Sequence, residues 1–258
     1  MDMQQLLISI IMPAYNASAT IRESIQSVLA QDYTNWELIV VNDCSTDETE
    51  AIILEYLSDN RIKLINKDQN EEVSKARNTG IKQSKGDWIA FLDSDDLWTP
   101  DKLSKIVALL QENPHGKLFF TGSAFINYEG ERSKYILQVP NKIDYRELLK
   151  QNLISCSSVL VYKETIKAHM MPVGNIHEDY ATWLSILKYE PYAYGLNEPL
   201  LIYRLSRKSK SGNKFKALKM NWNTYRFVGV SFFCSIIYML VYIFRNMKKY
   251  FSIYKLLA

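Results

Sequence analysis

The stretch KGDWIAFLDSDDLWTP (residues 85–100) decides how the chain is read. WIAFL (88–92) is a short, continuous apolar run, as a buried strand requires. It ends abruptly in Asp93, Ser94, Asp95 and Asp96. Thr99 then caps a helix with Pro100 at its first position, running to about Glu112. Carboxylates so close together repel, and burying them is expensive. Something of opposite charge belongs beside them.

The same unit repeats upstream. LLISIIMP (6–13), WELIVVND (36–43) and RIKLI (61–65) read as three more strands. Between them lie helical patterns. Ile21, Ile25, Val28 and Leu29 fall at helical spacing behind a capping box of Thr20 and Glu23. A second capping box, Ser45 with Glu48, opens STDETEAIILEYL, and VSKARNTGIKQS (73–84) supplies a further helix. Alternating strands and helices mean crossover connections, hence an α/β fold with a mostly parallel, Rossmann-like sheet and helices on both faces. Polar residues collect at the strand C-termini: Tyr15 and Asn16, Asn42 and Asp43, and Asp93–Asp96. Open α/β sheets bind ligands at that edge.

After Lys117 the pattern changes. KLFFTGSAFI (117–126) and CSSVLVYK (156–163) are strand-like, and DYRELLKQN (144–152) is helix-like. HEDYATWLSILKYE (177–190) is a helix whose first turn carries Glu178 and Asp179, a position the helix dipole favours for acids. Tyr180, Leu184 and Leu187 repeat at core spacing, and His177 reads as a packed or exposed histidine rather than a ligand.

Charge is unevenly spread. Residues 1–198 hold all 28 Asp and Glu against 19 Lys and Arg, whereas 199–258 hold 12 Lys and Arg and no acid. An acidic body suits a cation-handling site and a basic tail suits an anionic surface. Cys44, Cys156 and Cys234 show no disulfide or metal spacing, so a reducing compartment is expected. The N-terminus lacks a basic region and cleavage site and reads as a first strand, not a signal peptide.

Along an extended segment, alternation puts Asp93 and Asp95 on one side and Asp96 on the other. Such a hard-oxygen cluster suits Mg²⁺ or Mn²⁺, which take one or two protein carboxylates and leave room for substrate phosphates. A plain turn or helix-entry cluster is the competing explanation. A dinucleotide-binding turn is excluded, because PAYNAS after the first strand has no glycine. No G-x-x-x-x-G-K-[ST] occurs either, so metal and basic side chains would have to hold a phosphate ligand.

In order, SIIMPAYNASATIRESIQSVLAQDYTNWELIVVNDCSTDET, ARNTGI, GDWIAFLDSDDLWTPDKL and HEDYATWLSIL resemble a family 2 glycosyltransferase of the GT-A fold, over roughly residues 6–205. The likeness is to bacterial enzymes that build capsule, lipopolysaccharide or teichuronic-type surface polysaccharides. It implies a nucleoside-diphosphate sugar donor, with a UDP-sugar favoured, a divalent Mn²⁺ or Mg²⁺, and inversion at the anomeric carbon. By position, Pro13 and Tyr15 would line the nucleoside pocket, with Tyr15 stacking on the base and Asp43 hydrogen-bonding it. Arg77 would sit near the nucleotide, Asp95 would contact the ribose or the metal, and Asp96 would coordinate the metal. Asp179 would be the general base. Glu178 would offer an acceptor or diphosphate contact, and Trp183, on the helical face of Asp179, would wall the acceptor site.

The chain departs from the family pattern in three places. Asn42 precedes Asp43 where a second Asp is usual, Glu71 and Glu72 stand where a glycine is common, and LSRKSKSGNK after the last Tyr-Arg has no residue-by-residue match. A catalytically inactive sugar-nucleotide-binding scaffold is the alternative function, opposed by the retained Asp43, Asp95, Asp96 and Asp179. A nucleotidyltransferase would want a basic, Gly-rich triphosphate loop near the N-terminus, and none is present.

The expected organisation is a catalytic domain at 1–203, with a nucleotide-binding half to about 115 and an acceptor half at 116–203, then a basic and apolar tail at 204–258. In RLSRKSKSGNKFKALK (204–219), Arg204 and Arg207 are placed to close over the donor diphosphate, and the rest suits anionic headgroups rather than nucleic acid. FVGVSFFCSIIYMLVYIF (227–244) carries no charge and would span, insert into or lie on a membrane, which places the protein on the cytoplasmic face of the inner or plasma membrane with a lipid-linked or glycan acceptor.

Overall fold

A computed structural model describes residues 6–205 and 214–257 of the chain. Its first half is built from β1 (Ile8–Ala14), α1 (Ile21–Leu29), β2 (Trp36–Asn42), α2 (Thr49–Leu54), β3 (Ile62–Asn66), α3 (Val73–Gln83) and β4 (Trp88–Phe91). The four strands run parallel in the order β3-β2-β1-β4. Their near-continuous apolar runs follow from burial on both faces. Ile8, Ile10 and Met12 pack with α1 residues Ile21, Ile25 and Val28. Ile11, on the opposite face, joins Ile81, Phe91 and Trp183. α3 lies so close over β1 that a Cβ on Gly80 would come within 2.5 Å of Ile11 Cγ2.

The second half comprises β5 (Leu97–Trp98), α4 (Lys102–Glu112), β6 (Leu118–Ile126), β7 (Arg132–Leu137), β8 (Lys142–Ile143), α5 (Tyr145–Lys150), a 3₁₀ turn (Cys156–Ser158), β9 (Leu160–Tyr162), α6 (Lys163–Ala168), α7 (Glu178–Ile186) and β10 (Ala193–Arg204). β9 inserts antiparallel between β4 and β6, and β10 runs parallel to β6. The acidic turn after β4 carries the chain to β5, at the far side of the sheet beside β10. CSSVLVYK is therefore a tight turn plus a short strand rather than one strand.

Both expected capping boxes fail, because tertiary partners recruit the side chains. Thr20 Oγ1 donates to Ser94 O at 2.9 Å, and Glu23 pairs with Arg204 at 2.6 Å. Ser45 Oγ accepts from Asn16 N–H, while α2 is opened by Asp47, which accepts from Thr49 N–H at 3.0 Å.

The expected boundary at 203–204 and the expected tail need correction. β10 continues through Arg204, and α8 (Lys214–Phe227) is part of the core. Tyr225 is fully buried, edge-on to Tyr180, and its hydroxyl donates to Leu149 O at 2.8 Å. The stretch 227–244 is not one helix. α8 stops at Phe227, Gly229 turns the chain at φ +78°, and α9 (Phe232–Leu257) begins three residues later. Among the described residues no helix is long and apolar enough to cross a membrane.

The loop into α3 carries strain. Glu72 sits at φ 74°, ψ 158°, a region that is essentially glycine-only. Its side chain is exposed, so the glycine common at this place is absent at a conformational cost. Glu72→Gly is expected to stabilise the protein by about 1 kcal/mol, or about 2–4 °C in Tm, despite the usual entropy penalty of glycine. Thermal denaturation of the two proteins checks this, and an unchanged or lowered Tm contradicts it.

Candidate active site

The acidic cluster is a turn, not an extended segment. Leu92 N–H donates to Ile11 O, the last bond tying this strand end to β1. Asp96 N–H then donates to Asp93 O at 3.0 Å and closes the turn. The chain folds back, yet the acids divide as alternation would divide them, Asp93 and Asp95 on one side and Asp96 on the other. Asp96 points inward and is 1% exposed. Its Oδ2 accepts from Ser157 Oγ at 2.6 Å and its Oδ1 accepts from Arg204 N–H at 3.0 Å. A metal held by Asp96, the role expected of it, would have to use the lone pairs that these two bonds leave free. Asp93 and Asp95 are the half-buried acids that keep contact with solvent.

Ser157 is the pin of this turn. While donating to Asp96, its hydroxyl accepts from Asp93 N–H at 3.0 Å, and its carbonyl accepts from Trp98 Nε1 at 2.7 Å. Arg204 is the second support and is itself buried. Its Nε donates to Asp95 O at 3.0 Å, Nη1 to Tyr128 O at 3.4 Å and Nη2 to Glu23 at 2.6 Å. The expected role of Arg204 over a diphosphate is therefore corrected: its guanidinium is committed beneath the turn. Arg207 lies outside the described residues.

Burial, then the charge of Asp93, pushes the Asp95 carboxyl up to about 6. Burial, then the charges of Asp95 and Asp93, also pushes the Asp96 carboxyl well above its ordinary value. The bare cluster is short of positive charge. Among the described residues no ion pair reaches the Asp95 side chain, and no three His, Cys, Asp or Glu side chains converge into an all-protein metal cage. Two acids reaching solvent, one of them unpaired, fit a divalent ion that shares its coordination with substrate phosphates.

Across the sheet edge stands the first turn of α7. Arg77 of α3 joins the two places. Its side chain is 5% exposed, Nη2 donates to Asp93 Oδ1 at 2.5 Å, and Nη1 donates to Glu178 Oε1 at 3.3 Å. Burial opposes its charge, but the charges of Asp93, Cys156 and Glu178 hold its pKa well above the ordinary value. Neighbouring Asn78 grips the Met171 backbone in both directions, at 2.8 and 3.0 Å. Glu178 is thus tied to Arg77 through one carboxylate oxygen.

Asp179 is half-buried. Its Oδ1 accepts from Tyr180 N–H at 2.7 Å. Burial, then the charge of Glu178, raises its pKa above the usual carboxylate range. His177 precedes the helix as an anchor: its N–H donates to Thr224 Oγ1 at 3.0 Å, and its Nε2 lies 3.1 Å from Ala217 O. Trp183 does not wall an acceptor site. It is 0% exposed, one turn deeper than Asp179, and its ring lies 6.1 Å from Phe91 in the core.

The remaining edge is formed by the loops after β1 and β2. Pro13 is buried in β1 beside Val41, and Tyr15 is 51% exposed just beyond it. Asn16, at φ 48°, accepts Thr46 N–H at 2.8 Å, and Ser18 N–H donates to Asp47 at 3.1 Å, so the two loops are stitched together. Asp43 is buried. Both of its oxygens accept from Glu71 N–H at 3.2 Å, and Lys67 Nζ lies 3.3 Å away. Asn42 closes its own turn by accepting Ser45 N–H while donating to Asn66 at 2.9 Å.

The family model for Glycosyl transferase family 2 matches residues 9–166. The UDP-Glc:alpha-D-GlcNAc-diphosphoundecaprenol beta-1,3-glucosyltransferase WfgD of Escherichia coli is 40% identical over 256 residues, covering 98% of both chains. The putative teichuronic acid biosynthesis glycosyltransferase TuaG of Bacillus subtilis (strain 168) is 39% identical over 221 residues, 85% of this chain and 87% of that one. Among solved structures, S. aureus TarS 1–349 in complex with UDP-GlcNAc matches with a TM-score of 0.74 at 20% identity, over 87% of this chain and 66% of that one. The mannosyltransferase PcManGT from Pyrobaculum calidifontis in complex with GDP-Man and Mn²⁺ matches at 0.68 and 17%, over 86% and 64%. At those identities the two structures speak for the fold alone.

Ser157→Ala removes the acceptor for Asp93 N–H and one donor to Asp96. It is expected to lower stability by about 1–3 kcal/mol and sugar-transfer kcat/KM by about 10–100-fold. Ser158→Ala, which removes only a local bond to Ser155 O, is the control and is expected to keep both near wild type. Equal effects of the two substitutions contradict the assignment.

Proposed function

The chain belongs to glycosyltransferase family 2 and is a glycosyltransferase akin to enzymes of bacterial polysaccharide biosynthesis, and on that premise we propose a specific reaction. It moves a sugar from a UDP-sugar to a hydroxyl of a lipid-diphosphate-linked glycan, with inversion at the anomeric carbon. UDP-Glc and an α-GlcNAc-diphosphopolyprenol are the first donor and acceptor to try, because WfgD, alike over 98% of both chains, is named for that pair. The observation that carries the reading is Arg77: one buried cation holds Asp93 of the turn and Glu178 beside Asp179. Two carboxylate sets far apart in sequence are thereby held by one cation.

Tyr15 presents an exposed ring for the base to stack on, and Pro13 stiffens the strand end beneath it. Asp43 is oriented by Lys67 and the Glu71 amide, and a carboxylate keeps lone pairs for a base N–H beyond the bonds it already accepts. Asp95, with Asp93 beside it, would hold the Mn²⁺ or Mg²⁺, and the chemistry such an ion supplies is Lewis-acid stabilisation of the departing diphosphate. Asp179 takes the proton of the acceptor hydroxyl while that oxygen attacks C1 from the face opposite the diphosphate. The C1–O bond to the diphosphate breaks with its electron pair. One such displacement inverts the centre. A carboxylate whose pKa is raised by burial and by Glu178 is a stronger base than an ordinary one. A lipid-linked acceptor brings this reaction to the cytoplasmic face of the membrane, where the basic tail also suits anionic headgroups.

Asp179→Asn is expected to abolish transfer, by at least about 100-fold, with Mn²⁺-dependent UDP binding by calorimetry within a factor of about two. Turnover near wild type contradicts the base assignment. The acid limb of kcat/KM is expected above the normal carboxylate range. Asp179 works ionised, so activity is full above its raised pKa and is lost as pH falls through it.

Asp95→Asn is expected to weaken Mn²⁺-dependent UDP binding about tenfold or more at an unchanged Tm. Asp96→Asn is expected to lower the Tm. The reverse pattern returns the ligand role to Asp96.

A further inference from the structure

α9 wears its apolar face outward. Phe233, Ile236, Ile237, Leu240, Phe244 and Met247 are all exposed, from 40% for Ile236 to 78% for Phe244. Their spacing of three and four residues sets them on one side of the helix. The side that packs on the domain is the more polar one. Ser235 and Asn246 are buried there, with Tyr238 and Met239 against the core cluster. A surface helix ordinarily shows the opposite polarity. The outward stripe runs about 21 Å along the helix, and Phe227 and Phe232 extend it around the α8–α9 turn. A contiguous apolar surface of this kind marks a contact with something apolar.

The charge around it names the partner. Residues 199–258 hold 12 Lys and Arg and no acid, and Lys219, Arg226 and Arg245 are exposed on the two helices that carry the stripe. A protein partner would have to cover the stripe beside these cations, of which Arg245 is partly offset by Glu147 of α5. Anionic lipid suits both: acyl chains for the stripe and headgroups for the cations. The apolar part of α9 also ends at Arg245, after 13 residues. That is about 20 Å, less than the roughly 30 Å of a hydrocarbon core. We infer that the outward face of α9 is a docking surface that lies in the plane of an anionic membrane interface, with the helix parallel to the surface.

The inference deepens the lipid-linked acceptor reading and rests on it only for purpose. α8 holds His177, the residue immediately before Glu178 and Asp179, through Thr224 and Ala217. The docking helices and the proposed base thus belong to one packed unit, which would bring the acceptor end of the site toward the bilayer.

The test is co-sedimentation of the full chain with vesicles of mixed phosphatidylglycerol and phosphatidylcholine, and with phosphatidylcholine alone. The wild type is expected to bind the mixed vesicles, and high salt to reduce that binding to the level seen with phosphatidylcholine. Ile237→Asp and Leu240→Asp are each expected to lower partitioning about tenfold or more. Both sites are more than half exposed, so their thermal unfolding should match wild type. Sugar transfer to a short-chain, water-soluble diphosphate-linked acceptor should also be unchanged in them. A wild type left in the supernatant overturns the inference, as does a Leu240→Asp variant that binds like wild type. So does a dimer, seen by light scattering, that Leu240→Asp dissolves while vesicles bind neither protein. Loss of transfer to every soluble acceptor, with vesicle binding intact, would instead count against the proposed reaction.

Discussion

The site depends on a guanidinium kept out of water. Arg77 is charged, nearly fully buried, and bonded to carboxylates on both sides. Alone, its desolvation would cost several kcal/mol. With Asp93 at one end and Glu178 at the other, the charge is matched, and the matching has a geometric result. Asp93 lies 16 residues from Arg77 in sequence and Glu178 lies 101 away. The turn after β4 and the first turn of α7 have no backbone reason to face each other, yet they share this cation. Removing either acid leaves a buried charge with one partner, a much larger loss than an exposed ion pair would represent.

The same economy explains how an acid-rich turn is tolerated at a strand end. One acid, Asp96, is sacrificed to the interior, where Ser157 and the Arg204 backbone satisfy it. A second, Asp93, is neutralised by Arg77. Asp95 alone of the three faces solvent with no ion pair among the described residues. The turn is also braced from three directions, by Thr20 of the first βα loop, Ser157 of the 3₁₀ turn and Arg204 at the end of β10. Each brace bonds to the backbone of the turn, and Ser157 and Arg204 also bond to the Asp96 carboxylate.

Much of this was legible in the sequence, and the failures have physical causes. The strands and helices of the first half follow from periodicity, because parallel strands buried on both faces leave uninterrupted apolar runs. The gathering of polar residues at one edge follows from the same topology, and α7 with its leading acids was equally visible. Strand alternation separated Asp96 from Asp93 and Asp95 as the structure does, although nothing local announces that the chain turns at Ser94 rather than extending. Sharing a helical face with Asp179 misplaced Trp183, since spacing fixes azimuth and not depth. Arg204 sits in a run of basic residues, and composition does not separate a cation locked beneath a turn from one in solvent. The capping boxes failed for a related reason, with Thr20 and Glu23 taken by partners 74 and 181 residues away. Ser157 carried no signal, being one small polar residue among several in ISCSSV. Glu72 was the reverse case: the missing glycine pointed to a backbone anomaly, and one is there.

The attachment of His177 to α8 bears on how little of this chain can be cut away. The helix that begins next to His177 has its approach tied to Thr224 and Ala217, and Tyr225 plugs a socket between Tyr180 and Leu149. A version trimmed at the end of β10 would lose the plug and open the hydrophobic floor under Asp179 to water. α8 is thus not a detachable anchor but a keystone, and the minimal autonomous enzyme extends at least through it.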